Sequence, residues 1–507
     1  MSLAPHTSER MAVEPPRALE DSDATGVRET ERRFLRRGTW LNLTALLAKN
    51  ISPLLVVLMA RVLSRDVFGL FVSAQMMVLT LSRLTVLGAD SALVWSVAQN
   101  ERHGRSPEHG IASALQLSML CGSALAVALG LWFALGDGLR HVESTGLATL
   151  AFALPCLASV VVYMPLHCYA AALEGAGRPE YKIYVNYSLV TTLTPLLALL
   201  LHGLLGLTGL AWGLLAANLT GALVLAHAAR KTFPHLAVWR HERPRAAFLR
   251  VAVPLGLSEA VSGMVRRMDL WLVLSLLGPG EAGAYAVMLV LSNGLRSVRE
   301  GYHPLLIRVV SRMDERAHAE RLRATFSYAV NVVTAIQLVV ATAVLFVPDL
   351  ILSVAGKQYV VDPQALCILL VGNLSNGLFG LSDQVVIAHG RGRPVLLANL
   401  AALALNVGLN VFFIPRYGLA GAASASVLAG LAYSASMYAV QYRITGQHLY
   451  SRHLSINALL VLLFALAAFF AERALVTLTL TTRLAYCALA LALLGAVLFL
   501  KRKTFSL

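Results

Sequence analysis

The sequence predicts an all-α polytopic membrane protein with about 14 transmembrane helices. The 507-residue chain is 57% apolar and 14% charged, with a mean hydropathy of +0.68, whereas soluble chains carry about 25% charged residues. Apolar runs close to the roughly 20 residues that a bilayer-crossing helix needs recur from residue 39 to the end. The connections between these runs alternate between rich and poor in Lys and Arg, as in multi-span proteins.

The apolar runs divide into fourteen predicted spans, some of them long enough to require tilt. They lie at about 39–62, 68–97, 111–135, 147–173, 182–203, 207–228, 250–277, 283–307, 324–347, 365–388, 394–414, 418–441, 454–471 and 484–500. An even number of spans places both termini on the same side of the membrane.

Lys and Arg residues outside the spans fall mostly on one side. The connections of that side, together with both termini, hold 29 of the 42, and the opposite connections hold seven. The positive-inside rule therefore predicts that both termini are cytoplasmic. These loop residues also explain the net charge of +15, so no nucleic-acid partner is expected.

The predicted domains follow the spans, because no connection between spans is long enough for a soluble domain. The five cysteines form no CxxC or Cys/His pattern, so neither a metal site nor a cofactor is expected. The domains are a disordered cytoplasmic tail (1–38), an N-terminal six-helix bundle (39–229), a cytoplasmic linker (230–249), a C-terminal six-helix bundle (250–443), and helices 13 and 14 with a cytoplasmic tail (444–507).

Glycine motifs recur at nearly one spacing along the chain. The matching segments, with offsets of 214, 215 and 212 residues, are Gly69 and Gly283, Gly175–Pro179 and Gly390–Pro394, and Gly206–Ala211 and Gly418–Ala423. An offset of six helices keeps both copies in the same orientation. This predicts two six-helix bundles related by a pseudo-two-fold axis along the membrane normal, an arrangement that suits alternating-access transport.

Six cationic side chains lie inside predicted spans. They are Lys49, Arg83, Arg266, Arg267, Arg296 and Arg299. A charge at the centre of a spanning helix costs about 2.5–3.5 kcal/mol, so we expect these side chains to line a wet cavity or to meet opposite charge. A cationic cavity predicts an anionic substrate, and arginine suits phosphate because its planar fork donates two hydrogen bonds to one group.

Helical spacing groups several of these residues. In the eighth span Arg296 and Arg299 are three residues apart, and in the seventh Glu259, Arg266 and Asp269 are spaced by seven and three, so each set is predicted to share one helical face. Arg267 lies on the flank of that face.

The repeat offset of 214 places Arg83 beside Arg296, and Lys49 within a turn of Arg266. The four helices that carry these residues are therefore predicted to present cations to one central space. Six cations there meet four acids, which leaves a predicted surplus of two positive charges. The acids are Asp90, Glu259, Asp269 and Glu300.

Three other interpretations of the cations remain open. The arginines could form ion pairs that only hold helices together, Lys49 could snorkel to the cytoplasmic interface, and the Arg266-Arg267 pair could lie at a water-exposed rim. Intramembrane acids can also carry a coupling proton or Na⁺, although a counter-ion role is favoured for each. These acids are Asp90, Glu259, Asp269, Glu300 and Asp383.

Three segments resemble motifs of one known superfamily. They are Gly390–Pro394 with Asn406, Asn410 and Ile414–Ala425; Ala60–Phe71; and Met268-Asp269 with Gly283-Ala284-Tyr285. On these residues the chain resembles the multidrug/oligosaccharidyl-lipid/polysaccharide (MOP) exporter superfamily over about residues 39–500, and in particular its polysaccharide branch of Wzx-type O-antigen and exopolysaccharide flippases. It departs at Ser64 and Arg65, where Gly and Pro are usual, and in its fourteen spans, where many members of the branch have twelve.

The resemblance implies a flippase, not an enzyme, in the bacterial cytoplasmic (inner) membrane. It would move an undecaprenyl-pyrophosphate-linked oligosaccharide to the outer leaflet, with the cations holding the pyrophosphate. Its partners would be this lipid-linked substrate and membrane lipids, with a polysaccharide polymerase and glycosyltransferases as further candidates.

Three alternatives to this function are a lipid II flippase, a cation-coupled drug or metabolite exporter, and a membrane glycosyltransferase or polymerase. The exporter is disfavoured because such proteins use acidic cavities. The enzyme is disfavoured because most predicted outer loops are short.

Overall fold

The computed structural model describes residues 53–86, 88–102, 106–135, 150–236, 256–257, 259–310, 319–379, 381–388, 392–446 and 479–500. All regular secondary structure within these ranges is helical, which confirms the predicted fold class. Seven helices in these ranges are long and apolar enough to cross a membrane. The number of fourteen spans stays a prediction, because the predicted span 454–471 lies outside the described residues.

The described residues of the first half form seven helices. They are α1 (Pro53–Val62), α2 (Arg65–Val86), α3 (Ala89–Arg102), α4 (Glu108–Leu135), α5 (Leu150–Gly175), α6 (Glu180–Leu205) and α7 (Leu207–Thr232). The predicted span 68–97 is divided between α2 and α3, which meet at Gly88, where φ is 70°. Within α6, residues Ile183–Val190 form a π-helix, a wider winding that is common at functional sites.

The second half is more interrupted. Its helices are α8 (259–265), α9 (Met268–Leu277), α10 (Pro279–Val310), α11 (Ala319–Phe346), α12 (Pro348–Ser353), α13 (Pro363–Phe379), α14 (Ser382–Ala388), α15 (Gly392–Thr445) and α16 (Leu480–Leu500). The predicted spans 250–277 and 365–388 are each divided in two. The spans predicted at 394–414 and 418–441 both lie in α15, which is interrupted at Gly418, where φ is 57° and ψ −133°.

Each half has its own packing centre. In the first, α5 packs against α7, and α6 packs against α7; in the second, α13 packs against α15. The halves meet where α2 packs against α10. The predicted boundary at residue 229 lies near the end of α7, but residues 237–255 and 447–478 are outside the described ranges, so the domain limits stay predictions.

The first turns of α2 and α10 approach each other backbone to backbone. A methyl group on Gly69 would collide with the carbonyl oxygen of Pro279, and one on Gly283 would collide with the carbonyl oxygen of Arg65. Adding the 214-residue offset to Arg65 and Gly69 gives Pro279 and Gly283, so each collision has its counterpart in the other half. Such a pair of contacts is expected on a two-fold axis. We call the contact between Arg65–Gly69 and Pro279–Gly283 the outer junction, because it lies at the end predicted to face outside.

Side chains reinforce the outer junction. Arg65 Nη2 lies 3.1 Å from Glu281 Oε1. The hydroxyl of Tyr359 donates to the carbonyl oxygen of Ala60 at 2.9 Å, and its ring packs edge-on against Phe68, with ring centroids 5.7 Å apart. The two halves are therefore joined tightly at this end.

Candidate functional site

The seventh predicted span is interrupted at its two arginines. α8 ends at residue 265 and α9 begins at Met268, while Arg267 has φ −131° and ψ −11°. An interrupted span leaves backbone N–H groups free at the start of its second segment. Within a membrane, non-helical backbone is tolerated only inside protein or beside water. Arg266 and Arg267 therefore lie where the span faces other protein or water and not lipid.

Arg266 is exposed although it lies within a predicted span. Its electrostatic neighbours are Arg296, Arg267, Glu300 and Arg83. The structure thus brings arginines of α2, α10 and the break before α9 within electrostatic reach of one another, and we call Arg83, Arg266, Arg267 and Arg296 the arginine cluster. Within the described part of the chain, no acidic side chain forms an ion pair with Arg266.

Two members of the arginine cluster are ion-paired. Arg83 Nη1 lies 2.8 Å from Asp90 Oδ2 and 3.3 Å from Glu259 Oε2. Arg296 Nε lies 3.1 Å from Glu300 Oε1. The contact between Arg83 and Glu259 joins α2 to α8, so it crosses from the first half to the second. These carboxylates balance part of the positive charge and leave Arg266 outside their ion pairs.

Arg267 has a buried nitrogen to satisfy. Among the described residues, its Nη1 has no hydrogen-bond partner, and its electrostatic neighbours are Tyr163, Arg83 and Arg296. A buried donor without an acceptor costs about 1–3 kcal/mol, and more when charged. Water or a ligand in the adjoining space would remove this cost.

Arg299 reaches a second helix break. Its Nη1 lies 3.4 Å from the carbonyl oxygen of Asn376, near the end of α13. Asp383, at the start of α14 and 8% exposed, is its principal electrostatic neighbour. Arg299 therefore bridges the gap between α13 and α14. It shares Arg296 as a neighbour with the arginine cluster, but its polar contacts belong to the second half.

Asp269 does not share a helix with Glu259, so the face predicted for the seventh span is wrong. The reason is the break at Arg266 and Arg267, which interrupts the helical period. Asp269 Oδ2 accepts hydrogen bonds from the hydroxyls of Tyr285 and Ser426, each at 2.9 Å. In the structure it is a buried link between α9, α10 and α15.

Two lysines need separate comment. Lys49 lies outside the described residues, so its role stays a prediction. Lys182, the boundary residue of the predicted span 182–203 and not one of the six predicted site cations, lines a cavity together with Arg83 and pairs with Glu174 at 2.6 Å. Its position at the edge of a predicted span is the one sequence signal that could have marked it.

The first half contains a cavity of about 350 Å³, which we call the first-half pocket. Its polar wall includes Arg83, Asp90, Tyr163, His167, Lys182 and Asn186. Because Arg83 belongs to the wall and Tyr163 neighbours Arg267, the pocket adjoins the arginine cluster. Sequence reasoning missed it, since its wall comes from helices far apart in the chain.

Comparison with known proteins identifies the family. The sequence profile of the family described as "polysaccharide biosynthesis protein" matches residues 34–295, just over half of the chain. The chain belongs to this family. This match confirms the resemblance predicted from the motifs. A search of curated proteins found no match to this chain.

Solved structures place the family member within the fold of the MOP superfamily. The inward closed conformation of the lipid II flippase MurJ matches with a TM-score of 0.68 at 13% identity, covering 91% of this chain and 99% of that one. An inward-facing MATE multidrug transporter of the superfamily matches with a TM-score of 0.63 at 16% identity, covering 80% and 94%. These likenesses show the fold, and with it a multi-pass membrane protein.

A third solved structure is a MOP superfamily transporter from Pyrococcus furiosus, described as having a binding pocket of reverse polarity that suggests a different function. It matches with a TM-score of 0.55 at 16% identity, covering 80% of this chain and 94% of that one. Members of one fold thus differ in the polarity of their pockets, so the substrate must be argued from the residues of each chain.

Proposed function

We propose that this protein flips an undecaprenyl-pyrophosphate-linked oligosaccharide from the cytoplasmic to the outer leaflet of the bacterial inner membrane. The observation that carries the proposal is Arg266, an exposed arginine inside a spanning segment, three of whose four electrostatic neighbours are arginines. A cation held in this position is stabilised when an anion enters. The family supports a polysaccharide precursor as the source of that anion.

The arginine cluster suits a pyrophosphate. Arg266 and Arg267 present two planar forks, each able to donate paired hydrogen bonds to one phosphate. They immediately precede α9, whose first N–H groups point toward the same end of the helix, and helix N-termini attract phosphate. Arg83 and Arg296 add positive charge from both halves, so the substrate would contact both halves at once.

The outer junction supports alternating access as the mechanism. It closes the end predicted to face outside, while the arginine cluster lies further along the same helices. Movement of the halves about the cluster would open the outer end and close the inner one. We further propose that both termini are cytoplasmic and that a polymerase receives the flipped product.

A second candidate is a lipid II flippase, favoured by the fold shared with MurJ over 91% of the chain. Lipid II carries the same undecaprenyl pyrophosphate, so the arginine cluster would serve either substrate. Only the sugar distinguishes the two.

Deletion of the gene followed by mass analysis of lipid-linked intermediates tests the proposal. We expect a polysaccharide precursor to accumulate on the cytoplasmic side and surface polysaccharide to be lost. Complementation with wild type and with Arg416→Ala, which changes an exposed arginine stacked on Phe412, should restore export, whereas Arg266→Ala should not. Accumulation of lipid II with cell lysis would support the second candidate, and the absence of any accumulated intermediate would exclude both.

A further inference from the structure

The first-half pocket contains an amide with no partner. Both side-chain atoms of Asn186, Nδ2 and Oδ1, are buried and lack a hydrogen-bond partner within the described residues. An unmade hydrogen bond at a buried polar group is costly, so a native site normally supplies water or a ligand. An amide offers both a donor and an acceptor, the combination that a sugar hydroxyl can satisfy with one oxygen.

The local winding of α6 positions this amide. Asn186 lies in the π-helical segment Ile183–Val190, where the wider turn changes the direction of successive side chains. Tyr184 of the same segment is 52% exposed and lies outside the pocket, whereas Asn186 and Tyr187 line it. Within one turn, the segment therefore places Tyr184 outside the pocket and Asn186 and Tyr187 in its wall.

Two rings form a flat part of the pocket wall. Tyr163 and His167 of α5 lie with their ring centroids 4.2 Å apart and their planes tilted by 36°, and His167 is 8% exposed. Ring faces give apolar contact to the C–H faces of a sugar, while the ring heteroatoms remain available for hydrogen bonds.

The charges of the first-half pocket are paired, in contrast to Arg266. Arg83 lies 2.8 Å from Asp90 and 3.3 Å from Glu259, and Lys182 lies 2.6 Å from Glu174. Paired charges provide hydrogen-bonding groups but leave little net charge to attract an anion. The pocket therefore favours a neutral polar ligand over a second phosphate.

We propose that the first-half pocket binds the part of the oligosaccharide next to the pyrophosphate. The inference rests on the proposed function, since it divides one substrate between two adjoining sites. Sugars attached to a pyrophosphate at the arginine cluster would reach the pocket past Arg83 and Tyr163. Its volume of about 350 Å³ is at the small end for ligand pockets, which suits a fragment of the oligosaccharide and leaves the remainder in the central space.

Binding of two probes to full-length protein in lipid nanodiscs tests this inference. The probes are undecaprenyl pyrophosphate without sugar and the lipid-linked oligosaccharide extracted from deletion cells. In Asn186→Leu we expect affinity for the lipid-linked oligosaccharide to fall about tenfold, as for the loss of one to two hydrogen bonds. Affinity for sugar-free undecaprenyl pyrophosphate should stay within about twofold.

Matched variants control the experiment. Tyr184→Phe changes the same segment outside the pocket and should alter neither affinity, while Asn186→Gln keeps the amide and should restore part of the preference for sugar. If Asn186→Leu does not reach the membrane folded, Tyr187→Leu, at a 41% exposed lining residue, is measured in its place.

The outcomes separate this inference from the proposed function. A wild type that binds both probes equally, or pocket variants that weaken both equally or neither, would overturn the sugar pocket while the flippase proposal stands. A wild type that binds neither probe would overturn the flippase proposal, and the sugar pocket with it.

Discussion

Helix α2 makes two different kinds of contact along its length, one with α10 and one with α3 and α8. At the outer junction, Gly69 and Gly283 let the backbones touch. Fourteen residues further along α2, about 21 Å at 1.5 Å per residue, Arg83 pairs with acids of α3 and α8, neither of which belongs to α10. One end of α2 contacts its neighbour through backbone atoms, and the other carries an arginine that pairs with acids of two other helices.

Under the proposed function, α2 contributes both to the closed outer end and to the binding site. Backbone contact excludes water and tolerates no added atom, whereas arginines keep charge in a membrane only where space and polar partners exist. Movement at the first place would change access to the second. The following predictions test the two places separately, beginning with the largest expected effect.

Gly69→Ala should break the outer junction. The added methyl group would collide with the carbonyl oxygen of Pro279 and the backbone nitrogen of Gly283, neither of which can turn away as a side chain can. We expect export of surface polysaccharide to fall at least about tenfold, since overpacking costs about 1–3 kcal/mol or more. The control is Gly294→Ala on α10, where a methyl group meets nothing within 4 Å. Normal export by Gly69→Ala at wild-type protein level would contradict the role of this contact.

Arg266→Ala should weaken binding of undecaprenyl pyrophosphate about tenfold to a hundredfold, because hydrogen bonds to charged groups contribute about 1.5–3 kcal/mol. Arg266→Lys keeps the charge but loses the planar fork, so its affinity should lie between wild type and Arg266→Ala. Equilibrium binding in nanodiscs measures both. Thermal stability should remain near wild type, because no ion pair within the described residues is lost; a large drop in melting temperature would instead mark Arg266 as a structural residue.

Arg299→Met should reduce stability more than affinity. It removes the donor to the Asn376 carbonyl and the positive charge beside Asp383, and leaving a buried charge unbalanced costs about 3–5 kcal/mol. Thermal unfolding of the purified protein measures the loss. Adding Asp383→Asn should recover part of it, and a double variant less stable than Arg299→Met would show that the two residues do not act together.

Arg65→Gln should have the smallest effect. The side chains of Arg65 and Glu281 are 32% and 28% exposed, and solvent-accessible ion pairs contribute about 0.2–1 kcal/mol. Export should change by less than about fivefold, and high salt should reduce the difference between variant and wild type in a liposome assay. A loss as large as that of Gly69→Ala would mean that charge, and not backbone contact, holds the outer junction.

Much of the frame could be predicted from the sequence, because apolar length and repeat spacing are local or periodic signals. The offset between Gly69 and Gly283 predicted a pseudo-two-fold relation, with which the exchanged contacts at the outer junction agree. Arg83, Arg266 and Arg296 are electrostatic neighbours, and the central space that they were expected to share stays a prediction. The pairing of Arg83 and Arg296 with acids also agrees with the ion-pair interpretation, so both interpretations describe part of the cluster.

What sequence reasoning missed depends on departures from regular helices. Facial spacing assumes an unbroken period of 3.6 residues, so the break at Arg266-Arg267 separated Asp269 from its predicted face. The π-helix that contains Asn186 has no clear sequence signature. Lys182 was not counted with the cations inside spans because it lies at a span boundary, and such boundaries are uncertain by a few residues. The first-half pocket depends on packing among helices that are distant in the chain.

Gly69 and Gly283 also bear on how such a chain can change over time. In an ancestral dimer of six-helix halves, one codon would specify both sides of a contact on the symmetry axis. A single substitution would then change both sides of that contact at once. A fused chain carries the same contact in two codons. Each can then be altered alone, so the halves are free to diverge: Arg65 stands at one position and Pro279 at its repeat counterpart, while both glycines remain. Divergence of this kind lets the two halves surround the same backbone contact with different side chains.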